Sequence, residues 1–424
     1  MKKVIPNYYP VTIIFLLLFS VSHIMKGMEI GSPLNLHTKG VVVTQPIRSG
    51  CINYITALAA HPNDHYIVTG ESRGAVSIFD LDTKQVKYTF HTNNEYYEQA
   101  KQLTKSLPHS SRGYSKKKYE EHFLLPGHRC RVNSVDCNFD GSLIASASDD
   151  ATVGIWDVKT GQAIHKLNYK HCYSSVNSVA FHPTKSLIIS GHGNGAIRHW
   201  DSTSGKLIYN DDGSSNCPTN CAAYSYDASV LGIARDTIIN IIDTKAYFRM
   251  GITLRLIEPL DREAYFKSID PITDYYNPKE KHPNLLKIKG CATLTWHPSR
   301  LWVALGNNNK VSIWNAETNF MVKDQEAESK IHAIAWDAQE RYIASKNYDG
   351  SVSIWDLKHE NNRRIQLPSK RNCEKGCFSE GAILFSRDGS YLLTTYDNKI
   401  YFMSTKHLEA EFLCQKTKER AAPD

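Results

Sequence analysis

Apolar and polar positions along this chain alternate in short bursts rather than at a helical interval. The clearest burst reads S-L-I-A-S-A-S-D-D-A-T-V-G-I-W-D, from Ser142 to Asp157. It returns as S-L-I-I-S-G-H-G-N-G-A-I-R-H-W-D from Ser186 to Asp201, and as R-Y-I-A-S-K-N-Y-D-G-S-V-S-I-W-D from Arg341 to Asp356. The three align without a gap. Each predicts an apolar strand, a tight turn and a second strand whose period-two alternation marks a half-buried surface.

Weaker copies follow once the spacing is known. The large apolar residue near the end of the second strand is Phe79, Trp156, Trp200, Ile242, Trp314, Trp355 or Met403. Six residues earlier stand Arg73, Asp150, Asn194, Asp236, Asn308, Asp349 and Asp397, mostly types that tolerate tight backbone geometry. Successive markers lie 77, 44, 42, 72, 41 and 48 residues apart, a period near 42 with two insertions. A further alternating stretch precedes each turn. Three of these stretches end in His-Pro, at His61, His182 and His297. Proline suits the position just after a strand, where no ladder N–H is needed. Three or four short antiparallel strands per period, repeated seven times, predict an all-β fold, a single seven-bladed β-propeller with two loop insertions. It is expected over residues 41–414, with a flexible tail at 415–424. Either Val41–Val43 or Glu409–Leu413 is expected to close the ring.

At these residues the chain resembles the WD-repeat family, over roughly residues 52–413. Members carry a hydrogen-bonded set of His, Ser or Thr, Asp and Trp within a blade. The resemblance places that set at His128, Ser146, Asp150 and Trp156. It places a partial set at His171, Ser190, Asn194 and Trp200, and a remnant at Asp349 and Trp355. His, Ser and Asp are also the ingredients of a hydrolytic triad, but a nucleophile needs an exposed hydroxyl and a substrate pocket. These residues are expected inside a blade. The resemblance further implies that partners dock on the face carrying the loops, where Asp149, Arg235, Asn307, Tyr348 and Tyr396 look out. The expected function is a non-enzymatic scaffold for protein partners, monomeric and without cofactor or metal. The rival is a propeller enzyme, a hydrolase or lyase acting at the channel mouth, which fold alone does not exclude.

The N-terminus departs from this pattern. Lys2 and Lys3 precede an apolar run from Val11 to Val21, and no acidic residue appears before Glu29. The run is shorter than the roughly 20 residues a spanning helix needs. Ser20 and Ser22 sit where a cleavage site before His23 requires small residues. Residues 1–22 therefore read as a signal peptide or membrane anchor, followed by a linker over 23–40. The expected localisation is exported, secreted or periplasmic, with membrane-anchored or cytoplasmic as the alternatives.

Composition allows a packed core, with 41% hydrophobic and 10% aromatic residues, and the formal charge of +7 is mild. Charge matters locally. The first insertion, residues 91–122, carries Lys101, Lys105, Arg112, Lys116, Lys117 and Lys118 between positions 99 and 119, with no acid among them. Such a stretch suits an acidic protein surface or phosphate. The second insertion, Leu260 to Pro283, is acidic and aromatic, with Asp261, Asp270, Asp274, Tyr275 and Tyr276. Of the ten cysteines, eight fall at or just before the first strand of a blade. In an oxidising compartment Cys130–Cys172, Cys217–Cys221 and Cys373–Cys377 are the candidate disulfides. Free thiols are the alternative.

Overall fold

The structure is a computed structural model. It describes residues 41–42, 54–62, 65–90, 127–169, 174–212, 217–235, 238–245, 284–289, 293–318, 320–327, 329–358, 362–366, 381–396 and 399–408. Within the unit Thr38–Asp424, these residues form seven four-stranded antiparallel sheets. Each sheet is a blade, and consecutive strands of a blade are hydrogen-bonded neighbours. Blade two is typical: Val132–Cys137 is innermost, then Leu143–Ser148, Val153–Asp157 and the outer strand Gln162–Leu167. The inner strands of the remaining blades begin at Ile55, Val176, Thr219, Thr293, Ile331 and Ile383.

Ring closure uses the N-terminal segment. Val41–Val42 pairs antiparallel with Lys399–Ser404, Val41 opposite Ile400 and Val42 opposite Lys399. The outer strand of blade seven thus comes from the start of the chain, which joins last blade to first and covers a sheet edge. The alternative closing segment, Glu409–Leu413, lies outside the described residues.

The repeated marker residue is what holds neighbouring blades together. Trp156 packs among Ala57, Val68, Val76 and Phe90 of blade one, with its ring 5.5 Å from that of Phe90. Trp200 packs against blade two, Trp314 against blade four and Trp355 against blade five. Phe79 of blade one does the same to blade seven, 6.0 Å from Phe402. Each of these five markers therefore faces the preceding blade. Fully burying side chains of this size stabilises by roughly 1.5–3 kcal/mol apiece.

The weaker copies differ in one specific way. Blades one, two, three and six join their second and third strands through a longer turn with a residue in the left-handed region, at Gly74, Ala151, Gly195 and Gly350. In blade five Asn307 pairs directly with Lys310, leaving only Asn308 and Asn309 between them. Arg235 with Ile238 in blade four, and Tyr396 with Lys399 in blade seven, leave the same two-residue link. A two-residue hairpin has no room for the longer turn of the regular blades.

The His-Pro ends have a common destination on the next blade. His61 Nε2 lies 2.9 Å from Gly141 O, the His182 ring 4.9 Å from that of Tyr224, and His297 Nε2 3.7 Å from Glu340.

Candidate functional site

Five inner strands carry a one-residue register slip near their start, at Thr56, Asn133, Asn177, Asn220 and His332. A bulged residue is released from the ladder and re-aimed. All five line a cavity of 640 Å³ on the propeller axis, together with Thr293 of blade five and Gly381 of blade seven. Every blade thus contributes to one wall.

The bulge residues also join the blades. Thr56 Oγ1 donates to Val132 O at 2.5 Å, Asn133 Nδ2 to Val176 O at 3.0 Å, and Asn177 Nδ2 to Thr219 O at 3.2 Å. Each acceptor is the residue just ahead of the bulge in the following blade. Thr395 Oγ1 continues the series from blade seven to Ile55 O at 3.3 Å.

Charge at the cavity is carried by Arg131 and Asp149, whose side chains come from the approach to blade two and its long turn. Burial lowers the Arg131 guanidinium below its usual range while Asp149 opposes that shift. Asp149 Oδ1 accepts from Asn133 Nδ2 at 2.7 Å. Across the axis, burial pushes His332 down to about 4, aided by the charges of Arg131 and Lys346. His332 is therefore neutral at pH 7, with its ring 5.2 Å from Tyr348. Cys221, also in the wall, is raised by burial to about 11 and keeps its proton. A protonated thiol is the unreactive form, so Cys221 is not poised as a nucleophile.

Of the five residues expected to look onto the docking face, Asp149 and Tyr348 line the cavity. Arg235, Asn307 and Tyr396 instead end the second strands of the two-residue-turn blades, and Arg235 lies 3.8 Å from Asp211. They are not in the cavity wall. Lys116, Lys117 and Lys118 lie outside the described residues, as does the second insertion. The flanks of the first insertion, Phe90 and Gly127, stand at the end of an outer strand and the approach to an inner one. In an antiparallel four-strand meander both positions fall on the face that carries the second-to-third-strand turns, the mouth face.

The blade network is local and buried. His128 Nε2 lies 2.7 Å from Ser146 Oγ, Trp156 Nε1 donates to that oxygen at 2.8 Å, and His128 Nδ1 lies 3.2 Å from the Asp150 carboxylate. Burial pushes the Asp150 carboxyl up, but the His128 hydrogen bond and charge and the Lys166 ammonium outweigh it and hold it well below the carboxylate range. Ser146 is fully buried, so its hydroxyl meets no substrate.

In blade three His171 lies outside the described residues, and the histidine on Ser190 is His192, with Nε2 2.9 Å from Ser190 Oγ. Trp200 Nε1 donates to the same oxygen at 2.9 Å, while Asn194 Oδ1 accepts from Ala196 N. Burial and the Arg198 charge keep His192 neutral. Blade six repeats the device two residues along its strand, with Ser345 Oγ donating to Asn347 Oδ1 at 2.9 Å. Asp349 there accepts from Ser351, and Trp355 is buried.

The disulfide expectation needs correction. Cys130, Cys217 and Cys221 are free thiols. Cys221 lies in an inner strand with Sγ 3.7 Å from Leu294 O of the next blade, directed away from a local partner. Cys172, Cys373 and Cys377 lie outside the described residues. Among the described residues no three His, Cys, Asp or Glu side chains gather as a metal site.

The family model for the WD domain, G-beta repeat, matches residues 119–157, 161–201 and 322–356. Each match ends on a Trp-Asp pair. A chain in the crystal structure of the mitotic checkpoint complex superposes with a TM-score of 0.56 at 15% identity, over 89% of this chain and 97% of that one. This chain belongs to the WD40-repeat β-propeller family.

Other WD40 proteins align over shorter stretches. Autophagy-related protein 16 of Arabidopsis thaliana is 27% identical over 54% of this chain and 40% of its own length. Nuclear distribution protein PAC1 of Komagataella phaffii is 21% identical over 72% of this chain and 60% of its own. THO complex subunit 3 of Arabidopsis thaliana is 24% identical over 55% and 78%. The chain thus spans only part of the first two, and several WD40 relatives are named as subunits of complexes.

Proposed function

We propose that this WD40 propeller is a non-enzymatic interaction scaffold that docks protein partners on its mouth face, around the axial cavity. The observation that carries the reading is the cavity wall. It is built from every blade, is polar through the bulge residues, and includes Arg131, Asp149 and Tyr348. Tyrosine and arginine are favoured anchors at interfaces because they bury large areas from few rotatable bonds or make several hydrogen bonds. The kinship with subunits of complexes supports the same reading.

The test is affinity purification from the native source with wild-type protein, Tyr348→Ala and Asp149→Arg, against Phe139→Asp and Tyr226→Asp. Phe139 and Tyr226 are exposed residues in first-to-second-strand turns on the opposite face. Co-purifying proteins should be lost with the first pair and kept with the second; the reverse pattern removes the proposal. We propose separately that the mature chain is exported. N-terminal sequencing of native protein should begin at His23, and a native chain beginning at Met1 contradicts it.

A further inference from the structure

We propose that the axial cavity is an anion subsite, and that it receives the carboxylate side chains of an acidic segment on a protein partner, between Arg131 and Asn133 on one wall and His332 and Tyr348 on the other. The inference rests on the mouth-face docking reading and names the chemistry that face selects.

Three observations lead there. The first is convergence. Arg131, Asn133, His332 and Tyr348 all line one cavity of 640 Å³, although they come from blades two and six. Such a space holds several side chains at once. The second is the sign of the field. Arg131 and Lys346 both act on His332, and both lower it. Lys330, exposed at the rim, places Nζ 5.1 Å over the Tyr348 ring. The neighbouring inner strands of blades five and seven contribute only Thr293, Gly381, Ala382 and Ile383 to the wall, all uncharged. Asp149 is the single carboxylate among the lining residues, and Asn133 already holds it at 2.7 Å. Arg131 and Asp149 offset each other within the wall, and Lys346 and Lys330 supply the positive excess beside His332 and Tyr348.

The third is chain topology. The insertion whose positions 99–119 hold six cations and no acid leaves and re-enters the ring on this same face. An acidic partner would be steered toward the mouth from a distance and fixed at the cavity by hydrogen bonds. A carboxylate seated beside His332 stabilises its protonated form and raises it from about 4, so binding takes up a proton and strengthens as pH falls from about 6 toward 5. The ligand stays ionised across that range, since glutamate titrates near 4.3.

The experiment measures fluorescein-labelled hexaglutamate binding to the full chain by anisotropy, with hexaglutamine as the uncharged control. Arg131→Gln, His332→Gln and Lys330→Glu are compared with the triple substitution Lys116→Gln, Lys117→Gln and Lys118→Gln. Lys330 is exposed, so its variant remains informative even where a cavity substitution perturbs folding. Hexaglutamate should bind the wild type and hexaglutamine should not. Each cavity or rim variant should weaken binding about tenfold, one 1.4 kcal/mol step, and the loop triple no more than about threefold. The pH dependence should vanish in His332→Gln. Equal binding by wild type and cavity variants, or loss confined to the loop triple, overturns the subsite. Displacement by inorganic phosphate at sub-millimolar concentration assigns the site to a free anion and overturns the acidic-segment reading. If Tyr348→Ala abolishes partner capture while hexaglutamate fails to bind, the docking face stands and its acid chemistry falls.

Discussion

The indole Nε1 of Trp156 donates a 2.8 Å hydrogen bond to the buried Ser146 hydroxyl, while the same ring lies against Phe90 of the preceding blade. One side chain therefore anchors a polar network and joins two sheets. Trp156→Ala removes both at once and is expected to cost about 3–5 kcal/mol in a denaturant melt. A loss below about 1 kcal/mol would show that the ring is not part of the core.

Trp314 provides the contrast. Its Nε1 is buried without a hydrogen-bond partner among the described residues. The cause is the residue type: at the same register, Leu305 stands opposite Ser312 where blade two has Ser146 opposite Gly154. Replacing Trp156 with Phe removes one hydrogen bond from the buried Ser146 hydroxyl, whereas replacing Trp314 with Phe deletes an unsatisfied donor. Trp314→Phe should therefore be milder than Trp156→Phe by about 1–2 kcal/mol. Equal costs would contradict this.

The regular blades were legible because their signal is local. Ser142–Asp157, Ser186–Asp201 and Arg341–Asp356 carry strand, turn and Trp within one short window, and each window is a real hairpin. The markers Ile242, Trp314 and Met403 were found by spacing, but spacing from the marker conceals that their turns are shorter. The cavity wall was missed. Its trace is a polar residue directly after the first buried one in Ile55-Thr56, Val132-Asn133, Val176-Asn177, Thr219-Asn220 and Ile331-His332. A bulge breaks the period-two alternation at that point, so the polar residue reads as an ordinary outward position. His192 was missed for a different reason: the histidine was sought in the preceding loop, at His171, which lies outside the described residues, whereas His192 is on the strand itself.

Acid should destabilise the ring through its buried histidines. His199 sits between Tyr209 and Tyr224 and is lowered to about 3 by burial and then by His182. Burial and then Lys185 lower His182 to about 4, and His332 is likewise lowered to about 4. Unfolded histidine titrates near 6.5. Between those values the unfolded chain binds more protons, so stability rises with pH there. Their contribution is complete above pH of about 6.5 and is lost as pH falls toward the folded values. The depressed carboxyl of Asp150 acts lower down, its share present above about 3.9 and lost below. Denaturant midpoints should drop from pH 7 to pH 5 in the wild type and less steeply in His199→Phe. A flat wild-type profile over that interval would refute the buried neutral state.

Ring closure by Val41 and Val42 makes the N-terminal segment a stability element. A chain starting at Thr44 should melt about 2–3 °C below one starting at His23, since about 2 kcal/mol of lost closure shifts a domain of this size by that much at roughly 2 cal/mol/K per residue. Equal melting temperatures would mean that another segment closes blade seven.

The docking face is tested most directly by placing a photocrosslinking amino acid at position 348, on the cavity wall, and at position 226, on the opposite face, in the native cell. Illumination should yield discrete protein adducts from position 348 and none from position 226. Adducts from 226 alone would put the partner on the other side of the ring and contradict the account.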